Sequence, residues 1–223
     1  MPSNNAQNVP AVMHKQADRD VPGLAALTAL LVGNALAFGC WQTRAKGMSD
    51  HFLCSRWHLR HGKWHTLLTS CIFHQRPAHF VFNSFALWTV GLVAAEHLNN
   101  AEFLALCTVS GLGSTGSHVL LQKEPVMGAS GVVMGLLTAS SVLQPERQFS
   151  VMPFPMTFSL SQLAASAMLS NVLGLALRRF HPFHRVAWAA HVGGAVAGVG
   201  MGCATRTCRG SDASRGKLNG SAH

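Results

Sequence analysis

Charge is scarce in this chain. Only 11% of its 223 residues are Asp, Glu, Lys or Arg, where a soluble domain carries about a quarter. The acids Asp18, Asp20, Asp50, Glu96, Glu102, Glu124, Glu146 and Asp212 all lie outside the long apolar runs or at their edges, as a lipid solvent requires. Tyrosine is absent altogether. The six cysteines show no CxxC and no regular spacing, which gives no disulfide framework. No HExxH occurs, which argues against a membrane metalloprotease. The net charge of +9 is spread over short loops without a basic domain interleaved with aromatics, so nucleic acid is not the expected partner. The first 22 residues lack the charged start, short apolar core and cleavage site of a secretory signal, and they make a poor mitochondrial presequence.

What is present is apolar and helical in length. With 48% hydrophobic residues and a mean hydropathy of +0.23, the chain reads as an all-α, multi-pass membrane protein. Six apolar segments are expected, at about 23–41, 78–95, 103–121, 128–143, 156–177 and 186–204. They form one membrane domain over 23–204, between a polar N-terminal tail (1–22) and a basic, disordered tail (205–223). The connection 42–73 mixes Trp57, Trp64, Leu67 and Leu68 with basic residues, a composition suited to the membrane interface. Segment four is short. Roughly 16 residues at ~1.5 Å each cover ~24 Å of a ~30 Å hydrocarbon core, so its Gly128–Ser130 end is expected below the surface, in a wet pocket. The loops on the Ser130 side are the more basic, which places that end in a cytosol-like or matrix-like compartment and both tails opposite.

Three segments carry polar groups at the same membrane end. Ser130 lies in Gly128-Ala129-Ser130-Gly131, a string that is weak evidence by itself, since serine is common in helix packing. His191 lies in Ala190-His191-Val192-Gly193-Gly194 and could serve as general base toward Ser130. The small-residue ladders Gly131-x3-Gly135 and Gly194-x3-Gly198-x3-Gly202 would let these two segments approach closely. No carboxylate is placed to orient the imidazole, so packing is expected to do it. His79 and Asn83, four apart on one helical face, could stabilise an oxyanion together with the Ser130 backbone N–H, and His74 adds a further polar group. His58-x2-His61-x3-His65, with His181 and His184 on the same side, has ligand-like spacing. Without cysteine or carboxylate partners these are read as solvated loop histidines, and no metal or organic cofactor is expected.

Together these residues resemble the rhomboid family of intramembrane serine proteases: G-x-S-G at 128–131, A-H-x-x-G at 190–194, and H-x4-H-x3-N as His74, His79 and Asn83. The resemblance implies a six-transmembrane-helix rhomboid-type bundle with a short central fourth helix. It implies Ser130 as nucleophile, His191 as its base, and His79 and Asn83 at the oxyanion. Within the family the chain looks most like the mitochondrial, presenilin-associated rhomboid-like branch. Met134 stands where many bacterial-type members carry a Tyr that packs on the catalytic His, and Phe154-Pro155-Met156-Thr157-Phe158 also reads like that branch. The implied location is the mitochondrial inner membrane, and the implied partners are transmembrane segments of membrane-protein substrates. The alternative is a proteolytically inactive relative that binds transmembrane helices, for instance among mitochondrial translocase subunits. Two features depart from the pattern. The Trp-Arg of the first loop is Trp64-His65 here, and only polar residues stand where the branch has an additional N-terminal helix.

Overall fold

The computed structural model describes residues 20–44, 47–150, 156–178, 180 and 186–220, with the side chains of 44, 150 and 212–220 left out. The tail over 1–19, Phe154-Pro155, and His181 with His184 lie outside the described residues.

Among the described residues, four helices are long and apolar enough to cross a membrane: α1 (Leu24–Arg44), α5 (Pro77–Ala95), α6 (Asn100–Leu121) and α8 (Leu160–Leu177). Between α1 and α5 the chain makes three short helices, α2 (Ser49–Phe52), α3 (Arg56–Arg60) and α4 (Thr66–Thr69), followed by one 3-10 turn at Ser70–Ile72. The shorter apolar helix α7 (Ser130–Leu143) has 14 residues, about 21 Å at 1.5 Å each. It packs against α5, α6, α8 and the last helix, α9 (Trp188–Gly220).

The outer surface is apolar, unlike that of a soluble protein, and polar side chains share the interior with apolar ones. Phe82 on α5 is 74% exposed and Leu120 on α6 is 75% exposed, while Ser110, Ser114, Thr115 and His118 of α6 are buried. Burying leucine gains little when the solvent is lipid, so small polar side chains and close backbone packing carry the helix contacts. Thr138 of α7 shows both: its hydroxyl donates to the Ala195 carbonyl of α9 at 2.8 Å and lies within reach of its own Met134 carbonyl at 3.0 Å. Leu27, Leu87, Phe103, Leu106 and Leu136 form the apolar centre where α1, α5, α6 and α7 meet.

Helix ends follow local chemistry. Pro77 begins α5, where its missing N–H costs nothing. Asn99 and Glu102 form a capping box at the start of α6, with bonds of 3.0 and 2.9 Å. Ser159 and Gln162 do the same for α8.

Two boundaries differ from the sequence reading. Segment five begins as a helix only at Leu160. Thr157–Ser159 instead pair antiparallel with Gln148–Ser150 as strands β2 and β1, because β-favouring Thr157 and Phe158 precede a capping serine. The tail read as disordered from 205 continues α9 as helix to Gly220. Its first turns are tied down: Arg209 donates to the His97 carbonyl at 2.6 Å and pairs with Glu102 at 3.1 Å, and Arg206 reaches the Val142 carbonyl at 3.4 Å.

Candidate active site

The approach to α7 is stitched to the connection between α1 and α5 before Ser130 is reached. Cys54 and Val126 exchange backbone bonds of 3.0 and 2.8 Å, and the Gly128 N–H donates to the Ser70 carbonyl at 2.9 Å. The Ala129 N–H donates to Nε2 of fully buried His74 at 3.2 Å. The Gly128 and Ala129 donors are therefore used. Those of Ser130, Gly131 and Val132 begin the helix, where the i→i−4 ladder offers no partner.

Gly128 is required where it stands. Its φ of +127° is a conformation that disfavours any side chain, and a Cβ there would lie 2.6 Å from the His79 ring. The His79 imidazole thus packs on the backbone two residues before Ser130, and it meets the His74 ring edge-on at 5.2 Å. Asn83, buried one turn further along α5, donates one amide hydrogen to the His79 carbonyl at 2.8 Å. Its second hydrogen and the His79 ring remain as donors on that face.

Glycine sets the distance between α7 and α9. A Cβ on Gly194 would collide with the Gly131 carbonyl oxygen, one on Gly198 with the Gly135 carbonyl, and one on Gly202 would meet Ala139 at 3.1 Å. The two backbones therefore touch over three successive turns. Seen from α7, Gly131 and Gly135 also back onto Ser114 and Ser110 of α6. At the upper end of this seam His191 Nε2 lies 2.9 Å from Ser130 Oγ. Both residues are half-buried.

Sequence reading missed the other side of that imidazole. His191 Nδ1 is 2.6 Å from Oδ1 of Asn171, a buried residue on α8, so packing alone does not orient the ring. Asn171 was legible as the only Asn in segment five, but an amide in an apolar helix reads equally as interhelical glue. Trp188 stands edge-on to His191 at 6.5 Å, while Met134 is buried within α7.

The start of α9 is itself held. Gln122, at the end of α6, accepts from the Ala189 N–H at 2.9 Å and donates to the Val186 carbonyl at 3.2 Å. Replacing this buried residue by leucine (Gln122→Leu) leaves both backbone groups unpaired. It should lower stability by about 1–3 kcal/mol, measurable by denaturant unfolding in detergent micelles.

The loop histidines have separate partners. His58 meets Ser55 at 2.7 Å, His61 meets the Trp57 carbonyl at 2.8 Å, and His65 meets His51 at 3.1 Å. Among the described residues no group of three or more His, Cys, Asp or Glu is arranged to hold a metal.

The model of the rhomboid domain matches residues 61–207, which include His74, His79, Asn83, Ser130, Asn171 and His191. The chain belongs to the rhomboid family. It is 30% identical over 140 residues to presenilin-associated rhomboid-like protein A, mitochondrial, of Danio rerio, covering 60% of this chain and 35% of that protein. It is 27% identical over 180 residues to the mitochondrial rhomboid protein 1 of Saccharomyces cerevisiae, covering 77% and 50%. A shorter stretch, 78 residues at 33% identity, is similar to the rhomboid protease GluP of Bacillus subtilis, 35% of this chain and 15% of that protein. This rhomboid thus spans half or less of the length of these relatives. Its similarity to the mitochondrial, presenilin-associated rhomboid-like branch agrees with the reading of the sequence, and its apolar helices make it a multi-pass membrane protein.

Proposed function

We propose that this rhomboid is an intramembrane serine protease of the mitochondrial inner membrane, built as a six-span bundle in which α7 is the short central member. It hydrolyses peptide bonds in or beside transmembrane segments of membrane proteins. The observation that carries this is the 2.9 Å approach of His191 Nε2 to Ser130 Oγ at a helix start, with His79 and Asn83 lining the same end.

In this mechanism His191 takes the Ser130 hydroxyl proton at Nε2 as Oγ attacks the scissile carbonyl carbon. The oxyanion is held by the Ser130 N–H, His79 and Asn83. The tetrahedral intermediate collapses as the C–N bond breaks, and His191 passes its proton to the leaving amine. Water, deprotonated by the same imidazole, then releases the acyl group from Ser130. A helical substrate hides its carbonyls in intrahelical bonds, so favoured substrates carry residues that weaken a helix near the cleaved bond.

The test is to treat the purified chain with a fluorophosphonate probe and, separately, with a transmembrane peptide bearing a Gly or Pro break. Probe adduct mapped to Ser130 together with peptide cleavage is the expected result. No adduct and no cleavage, with mitochondrial translocase subunits co-purifying, would establish an inactive helix-binding protein instead.

A further inference from the structure

The hydrogen bonds around Asn171 determine which way its amide points. Nδ2 donates to the Ala167 carbonyl one turn back on α8 at 2.8 Å. This leaves Oδ1 as the group facing His191 Nδ1 at 2.6 Å. An amide oxygen can only accept, so the imidazole must carry its proton on Nδ1. Nε2 then presents a lone pair to Ser130, the tautomer that a general base requires. The opposite tautomer would set an N–H against the Ser130 hydroxyl and two acceptors against each other at Asn171.

We propose that Asn171 is a positioning residue of the reactive group, which is therefore a Ser130–His191–Asn171 triad rather than a dyad. This rests on the serine-protease reading above. Asn171 never touches substrate and exchanges no proton. The proton of Ser130 passes to His191 Nε2 and on to the leaving amine, while the Nδ1–H stays bonded to Asn171 Oδ1 throughout. A neutral amide suits the site, because a carboxylate at this depth would carry the cost of a charge in lipid. The arrangement also distributes the group over three helices: α7 supplies the hydroxyl, α9 the imidazole and α8 its orientation. Of the four helices long enough to cross the membrane, α8 is the least buried. The tautomer of His191 therefore depends on the seating of the helix that faces outward most.

The experiment compares the wild type with Asn171→Leu, which keeps the branched shape but no acceptor, and Asn171→Asp, which keeps the acceptor. Three readouts are taken in micelles: kcat and KM on the helix-broken peptide, fluorophosphonate labelling, and the 15N signals of His191, assigned by difference against His191→Gln. The wild type should show a protonated Nδ1 and a bare Nε2. Asn171→Leu should lower kcat about 100-fold, leave KM within about twofold, and show both tautomers. Asn171→Asp should recover most of kcat and the single tautomer. A kcat for Asn171→Leu within twofold of wild type would overturn the proposal. So would an unchanged tautomer, or equal impairment of both variants while folded. Should neither variant fold, the wild-type signals decide alone: a protonated Nε2 overturns the proposal and a protonated Nδ1 supports it. A wild type that takes no label at Ser130 refutes the protease reading, and the 15N spectrum still reports separately on Asn171.

Discussion

His191→Ala is expected to lower kcat/KM by about five orders of magnitude, close to the effect of removing Ser130 itself. In the proposed mechanism the two residues act as one unit, so losing the base leaves a neutral hydroxyl with no acceptor for its proton. The double variant Ser130→Ala with His191→Ala should therefore be little worse than either single one. Residual turnover would come from the oxyanion donors alone: the backbone N–H of residue 130, His79 and Asn83. The fold should survive with a measurable penalty. Truncation removes the bond to Ser130 and leaves the buried Asn171 oxygen unpaired, a loss of about 1–3 kcal/mol. Single-turnover cleavage and chemical unfolding of the same preparations separate the two effects. Full activity in His191→Ala would refute its assignment as base.

The second large effect is expected from a residue that does no chemistry. Gly194→Val places a branched side chain where the Gly131 carbonyl now sits. Overpacking a well-filled interior commonly costs about 1–3 kcal/mol, and here the obstacle is backbone, which cannot rotate aside. A loss at or above about 3 kcal/mol is expected, with α7 and α9 forced apart and the Ser130–His191 hydrogen bond broken. Gly200→Ala, two turns along the same helix, is the matching control. Nothing lies within 4 Å of a Cβ there, so the substitution should be neutral or stabilising by up to about 1 kcal/mol through its helix preference. Steric-trap or SDS-unfolding measurements, paired with probe labelling of Ser130, check both variants. Equal stability of the two would show that the helices do not meet at Gly194.

Much of this architecture was legible because lipid imposes a simple code. Long apolar runs without charge had to be helices, and four of them appear as helices of spanning length. Ser130 and His191 were visible as polar groups set in apolar runs, and the glycines because their spacings repeat at helical intervals. What escaped was set by tertiary context. The β1–β2 pairing depends on a partner strand and leaves only a faint trace in Thr157-Phe158. The Ser159–Gln162 capping box was readable, yet it was absorbed into an apolar run that starts earlier by composition. Asn171 gave no sequence signal that separates a ligand of His191 from an ordinary interhelical amide, because its partner is 20 residues away on another helix. The helical tail was hidden for a similar reason. Arg209 reads as one more solvated cation until Glu102 and the His97 carbonyl are known to lie beside it.

The glycine seam between α7 and α9 has a consequence for how lipid composition acts on the protein. No side chain stands between the two backbones, so neither helix can slide or tilt against the other without losing contact along three turns. A bilayer that is thinner or thicker than the protein must be met by tilting elsewhere. That adjustment falls to helices outside the seam, α1 and α8, which present broad apolar faces to the outside. Acyl-chain length should therefore alter how a substrate helix reaches the site while leaving the spacing of Ser130 and His191 unchanged. The proposed reactive pair rides on the most closely packed seam of a molecule whose rim adapts to its solvent.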